Sequence, residues 1–185
     1  MKSSFLIKMI ILSLFVGGTY FYARMNRVSI YESTEQESYE SAEVVKELPN
    51  FKFKDEFSKK DVEVRGLLGK SKIVVHFWGT WCAPCEEELP GLIDTAKKTT
   101  ETTYLILAIT DTWDNVRKFL GKKGLTGFSS NIHFGVDVDS VSLSRFGTLK
   151  VPETFIFDNN GKLHKKLVGP QDWSVKNFDK LVSKN

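Results

Sequence analysis

Apolar positions fall into two regimes along the chain. Met9 to Ala23 (MIILSLFVGGTYFYA) is an almost unbroken apolar run, whereas from about Asn50 onward apolar residues recur with the periods of strands and helices. Phe51–Phe53 and Val62–Val64 predict two short strands joined by a polar turn, followed by a turn or single helical turn over Gly66–Lys70. Ile73–Trp78 (IVVHFW) is β-branched and aromatic, the pattern of a buried strand. Cys82 to Lys98 predicts a helix with Leu89, Leu92, Ile93 and Ala96 on one face, kinked at Pro90. Tyr104–Thr110 predicts a second buried strand. Trp113–Lys123 predicts an amphipathic helix capped by Asp111 or Thr112, with Val116, Phe119 and Leu120 inward. Ile132–Val138 is a short strand, Val141–Phe146 a short helix ended by Gly147, and Thr154–Phe157 a strand. Asn159-Asn160-Gly161 turns that strand into its partner, Lys162–Val168, and Trp173–Ser183 closes the chain as an amphipathic helix. Strands alternating with helices, then a hairpin and a last helix, give an α/β class: a mixed central sheet flanked by helices, with a short N-terminal β-hairpin extension.

The N-terminal run is preceded by Lys2 and Lys8 and followed by Arg24 and Arg27. About 15 to 18 apolar residues is short for a spanning helix, and Gly17-Gly18 weakens it further. A cleaved secretory signal has a similar layout, but Tyr20, Phe21 and Tyr22 occupy the place of a small-residue cleavage site. Those aromatics suit a membrane interface, so residues 1–27 are read as an anchor or uncleaved signal. Residues 28–48 are rich in Glu and Ser and poor in large aliphatics, the composition of an acidic flexible linker. Residues 49–185 form the folded domain. The basic start favours an N-terminus held inside, which puts the domain on the periplasmic or outer face of a bacterial inner membrane, behind a single pass.

Composition adds little beyond confirming one domain with a core. Of the 185 residues, 41% are hydrophobic and 26% charged, and the net charge of +3 is too small and too dispersed to point to nucleic acid. The two cysteines change the picture. Cys82 and Cys85 are three positions apart, so a bridge between them closes a very short loop, worth roughly 2 kcal/mol in the chain-entropy model. Such a pair is a poor staple, and redox cycling explains it better.

The segment His76-Phe77-Trp78-Gly79-Thr80-Trp81-Cys82-Ala83-Pro84-Cys85 runs from a buried strand through a tight turn into a helix. Cysteines at i and i+3 share a helix face. Cys82 lies at the helix N-terminus, where unpaired N–H groups and the dipole stabilise a thiolate. Pro84 sits in the first turn, where its missing N–H costs little, and Trp81 shields the pair and offers a surface to a partner.

Trp-Cys-x-Pro-Cys after a buried strand resembles the thioredoxin superfamily. The chain is similar in particular to membrane-anchored TlpA-type thiol:disulfide oxidoreductases, including those of cytochrome c maturation. The pieces that match are FWGTWCAPCEEELP (77–90), the short N-terminal strands, the Phe146-Gly147 turn, VPETFIFDNNGK (151–162) and Val168-Gly169. The resemblance implies a thioredoxin-like fold in which Pro152 is a cis-proline beside the cysteines and Val151 binds substrate through its backbone. It also implies that Glu88 lies near the cysteines and serves in proton transfer, and it matches Glu153 to an acidic residue of the cytochrome-maturation members. Glu88 and Glu153 are thus expected as a pair of acidic neighbours of the disulfide. Glu86 and Glu87 have an ordinary reading as first-turn glutamates favoured by the helix dipole. His76 departs from the family: thioredoxins carry a buried aspartate there. It is either a proton shuttle or a strand histidine satisfied by a neighbour. His133 and His164 are placed on or beside exposed turns, Trp78 and Trp113 in packing, and Trp173 on the core face of the last helix.

The function expected is therefore reduction of client disulfides, such as those of apocytochrome c, by an enzyme re-reduced by a membrane thiol donor. A monomer without metal or cofactor is expected. Two alternatives stand beside it: a general envelope disulfide oxidase or reductase, and a copper-binding assembly protein using the two soft thiolates.

Overall fold

The computed structural model describes residues 13, 17–22, 45–137, 141–148 and 150–183. Chain contacts divide it into two units, Met1–Glu43 and Val44–Asn185. In the first unit the described residues are helical, with Tyr20, Phe21 and Tyr22 exposed. Among the described residues no helix is long and apolar enough to cross a membrane. The anchor expected over 1–27 falls mainly outside them, as do residues 28–44 of the expected linker.

In the second unit a two-stranded antiparallel hairpin, β1 (Lys52–Lys54) and β2 (Asp61–Glu63), leads through a 3-10 turn (Val64–Leu67) into a five-stranded sheet. Its elements are β3 (Lys72–Trp78), α1 (Ala83–Lys98), β4 (Thr102–Ile109), α2 (Trp113–Lys122), β5 (Ile132–Asp137), α3 (Val141–Phe146), β6 (Glu153–Phe157), β7 (Leu163–Val168) and α4 (Val175–Val182). The spatial order is β5-β4-β3-β6-β7: β3, β4 and β5 run parallel, and β6 and β7 return antiparallel. This is the expected thioredoxin-like mixed sheet. The three central strands are apolar on both sides because both faces are covered.

Period-two alternation splits the core in two. Val74 and Trp78 of β3, Tyr104, Ile106 and Ala108 of β4, and Ile156 of β6 point to one face, where α1, α2 and α4 supply Leu92, Ile93, Phe119 and Phe178. Ile73, Val75, Phe77, Leu105, Leu107, Phe155 and Phe157 point to the other, where Phe146 of α3 meets Phe51, which in turn meets Phe53 of β1. The hairpin is held to the sheet by polar contacts as well. Asp55 is hydrogen-bonded to His133 at 3.0 Å, and Arg117 of α2 reaches Glu56. His133 is therefore a half-buried residue of β5, not a turn residue. Residues 46–48 also belong to this packing: Lys46 accepts from the Leu163 N–H, Leu48 donates to Gly161, and Leu48 is buried.

Several element ends differ from the pattern-based expectation for local reasons. The α1 helix continues through Pro90, which lies inside it. Thr112 caps α2 by accepting from the Asn115 N–H, so Asp111 is left for another task. The last helix begins at Val175, two residues after Trp173. The β6–β7 turn closes as expected: Asp158 Oδ1 accepts from the N–H groups of Asn160 and Lys162, and Gly161 takes the left-handed φ of 82° that the turn requires.

Candidate active site

Cys82 and Cys85 form a disulfide at the N-terminal end of α1, with Cα atoms 5.2 Å apart. Cys82 is the N-cap, and the Cys85 N–H lies 3.3 Å from Cys82 Sγ. A free amide of the first helical turn is thus aimed at the Cys82 sulfur, the arrangement that favours a thiolate there. The two sulfurs differ in access: Cys82 is 6% exposed, Cys85 0%. Pro84 occupies the second helical position and is exposed.

Two loops frame the pair. The peptide bond between Val151 and Pro152 is cis, as the resemblance implied, and the Val151 carbonyl oxygen lies 3.8 Å from Cys82 Sγ. On the other side Trp81 is 58% exposed, and its Nε1 donates to the Ile109 carbonyl at 3.2 Å. The indole lies over Gly79, where a Cβ would come within 2.6 Å of Nε1. Gly79 is therefore required by close approach. The turn is also held from the segment that follows β4: Asp111 Oδ2 accepts from the Thr80 N–H at 2.7 Å. Thr110, a β-branched residue at φ 49°, turns the chain between these two contacts. Asp111 is thus a positioning residue of the site, read from sequence only as a possible helix cap.

Glu88 lies one helical turn beyond Cys85 on the same buried face, while Glu87 is exposed and Glu86 makes only a loose 3.9 Å contact with Lys123. The Glu88 carboxylate is 8% exposed. Its Oε2 accepts from the Gln171 N–H at 2.7 Å and from Trp173 Nε1 at 2.9 Å. Burial pushes its pKa up, against the lowering effect of those two donors. Trp173 is in the core, as expected, but not on the last helix. It lies in the loop before α4, with its carbonyl held by the Thr95 hydroxyl, and it serves Glu88.

His76 is fully buried on β3, on the α1 face of the sheet. Its Nδ1 is 2.9 Å from Thr154 Oγ1, its cross-strand neighbour, and its Nε2 is 3.7 Å from Glu88 Oε1. Burial alone pushes its pKa down to about 3, so it is neutral. Both sequence alternatives for His76 hold in part: it is satisfied by a neighbour, and it faces Glu88.

Glu153 does not join Glu88. It pairs in register with Phe77, not with His76, so it shares the opposite face of the sheet with Phe155. There its fully buried carboxylate is 2.9 Å from Lys166 Nζ, which also lies over the Phe155 ring. The expected acidic pair is thus split by the sheet, because consecutive strand residues point to opposite sides. Lys166 had no signal in the sequence beyond its place in an alternating strand. Among the described residues no three His, Cys, Asp or Glu side chains gather as a metal cluster.

Comparison with known proteins agrees with this geometry. The sequence pattern of the AhpC/TSA family matches residues 44–166. The chain is 31% identical over 134 residues to the thiol-disulfide oxidoreductase ResA of Bacillus anthracis, covering 71% of this chain and 73% of that protein. It is 34% identical over 119 residues to the thiol:disulfide interchange protein HelX of Rhodobacter capsulatus, covering 62% of each. In fold it matches StoA from Bacillus subtilis with a TM-score of 0.60 at 18% identity, over 73% of this chain and 97% of that one. It matches a thioredoxin-family thiol:disulfide interchange protein from Chlorobium tepidum with a TM-score of 0.61 at 22% identity, over 74% and 93%.

Proposed function

Since the chain belongs to the AhpC/TSA family and is a thiol:disulfide oxidoreductase, we propose that it reduces client disulfides, with Cys82 attacking and Cys85 resolving. The unequal setting of the two sulfurs carries this reading. Cys82 is the accessible one, it receives the helix N-terminus, and it lies beside the Val151 carbonyl, where an extended client segment can lie.

In the reduced enzyme the Cys82 thiolate attacks one sulfur of a client disulfide. The client S–S bond breaks, a mixed disulfide forms, and the client's other sulfur leaves as a thiolate that takes a proton from water. Cys85 gives its proton to Glu88, and the Cys85 thiolate then attacks Cys82 Sγ. The mixed disulfide breaks, the client's second sulfur leaves as a thiolate that takes a proton from water, and the enzyme is left as the Cys82–Cys85 disulfide. Two electrons have passed to the client, and a membrane dithiol donor restores them. The client class is an unfolded apocytochrome c, whose haem-binding cysteines must be free. The chain works as a monomer in the bacterial envelope, tethered by residues 1–27 with residues 28–44 as spacer.

The test is trapping. Reduced Cys85→Ser protein mixed with an oxidised apocytochrome haem-binding peptide should give a one-to-one covalent complex released by dithiothreitol, and Cys82→Ser should give none. The reverse pattern would exchange the two roles, and no complex with either would remove the reading. A reduction potential near about −270 mV supports reduction of clients, whereas one near about −120 mV would make the enzyme an oxidase.

A further inference from the structure

We propose that His76 is a positioning residue for Glu88: its Nε2 lone pair receives a proton carried on Glu88 Oε1, so the two side chains together hold the proton that Cys85 releases. The proposal rests on the reading above in which Cys85 is the resolving thiol.

The inventory of buried polar atoms leads to it. Glu88 Oε2 accepts two N–H bonds, from Gln171 and Trp173, and neither donor can accept a proton in return. A proton on this carboxyl therefore belongs on Oε1. Oε1 is buried and has no hydrogen-bond partner, and neither has His76 Nε2, 3.7 Å away. Two orphaned buried polar atoms facing each other are costly unless a proton joins them. A shift of about 0.7 Å, within reach of a small change in the Glu88 side-chain torsions, brings them to an ordinary N···O separation of about 3.0 Å. The remaining ring nitrogen is committed: Nδ1 lies 2.9 Å from Thr154 Oγ1. If Nδ1 carries the imidazole proton and donates it to Thr154, Nε2 presents a lone pair to Oε1. An ionised Oε1 facing that lone pair is repelled, and a protonated one is bonded. The imidazole thus raises the proton affinity of Glu88, which makes it a better base for Cys85.

The groups around the pair support a neutral state. From β3 comes His76, from α1 Glu88 and Cys85, from β6 Thr154, and from the loop before α4 Gln171 and Trp173. Asp172, on the same loop, is exposed and turned to the Ser174 N–H and Asn177. Burial penalises the charged form of both partners. The proton balance is simple. One proton leaves Cys85 Sγ, arrives on Glu88 Oε1 and stays there, hydrogen-bonded to His76 Nε2, until the disulfide is reduced and the Cys85 thiolate takes it back.

Two spectroscopic measurements on the oxidised full-length chain test this. Nitrogen-15 NMR of labelled histidine should show His76 neutral near pH 7 with its proton on Nδ1. Infrared spectra should show a protonated-carboxyl band that is absent in Glu88→Gln. In His76→Asn, with His76→Gln as a second variant should the first not fold, Glu88 should bind its proton about tenfold more weakly. The band should then titrate about one pH unit lower, and the acid limb of client release should move with it. An Nε2–H tautomer, an imidazolium near pH 7, or an unmoved band in both variants would overturn the proposal. Failure of Cys85→Ser to trap client, with the spectra as expected, would instead remove the resolving role and leave the proton store standing.

Discussion

Replacing His76 with asparagine should flatten the acid dependence of stability. The native state holds the imidazole neutral, with a pKa pushed down to about 3 by burial, while the unfolded chain protonates it near 6.5. A depressed native pKa contributes stability that is present above 6.5 and lost as pH falls through that value toward 3. The loss is about 1.4 kcal/mol per pH unit within that window. From about pH 7 to about pH 4.5 this amounts to roughly 2–3 kcal/mol, a large part of a small domain's stability. Glu88 acts in the opposite sense. Its raised pKa contributes stability that is present below 4.5 and lost as pH rises through its native value, so it does not add to the acid loss. Asp55 does add to it. Burial pushes its carboxyl up, but hydrogen bonds from His133, the Phe57 N–H and Ser58 hold it below the usual range. That contribution is common to wild type and variant and cancels between them. The measurement is urea unfolding of the oxidised protein and of His76→Asn at the two pH values. The variant should lose roughly 1–2 kcal/mol less on acidification than the wild type, because its Glu88, binding a proton more weakly, also gains less stability as the pH falls. Equal losses in the two proteins would show that the imidazole is not kept neutral in the folded state, and the description of the buried pair would fail with it.

Other substitutions test the remaining parts of the site and core. Lys166→Met removes the cation 2.9 Å from the buried Glu153 carboxylate and should cost roughly 3 kcal/mol in urea unfolding. Adding Glu153→Gln should restore much of that loss. Gly79→Ala places a Cβ on the Trp81 indole and should displace it from the Ile109 carbonyl, seen as a change in tryptophan emission and a several-fold slower trapping of client. Stability should change by only about 1 kcal/mol, because Trp81 is exposed. Phe146→Ala removes the ring that meets Phe51, Phe77 and Phe155 and should cost about 3–5 kcal/mol.

The strands and helices were legible because both faces of the sheet are covered, which makes Ile73–Trp78 a near-continuous apolar run and gives α1 a single apolar stripe. The cysteine pair and the proline loop were legible because their chemistry is local: Cys82 and Cys85 are three residues apart, and Val151-Pro152 stands alone before a strand. The setting of Glu88 was not legible. Its partners Gln171 and Trp173 lie 83 and 85 positions away, in a loop where Trp173 alone suggested an earlier start of the last helix. Glu153 was misplaced for a different reason. Composition shows that an acidic residue follows the proline. Only the register of β6 against β3 shows that it opposes Phe77 while Thr154 opposes His76. A shift by one residue would have exchanged their faces.

That register also bears on how one helix end can hold two thiols with different proton affinities. The dipole and the Cys85 N–H act on Cys82, the first sulfur, and lower its affinity for a proton. An ionised Glu88 one turn further on would oppose this by raising the proton affinity of both sulfurs, and of the nearer one, Cys85, more strongly. Burial disfavours that ionised form, and with the proton stored on Oε1, as proposed above, the opposing charge is withheld in the oxidised enzyme. It is present only while Glu88 lacks its proton, which is the state in which Cys85 has one to give. Because Thr154 stands on the α1 face and Glu153 does not, nothing anionic from β6 disturbs this exchange. The carboxylate that could have raised both thiols is instead neutralised by Lys166 on the far side of the sheet.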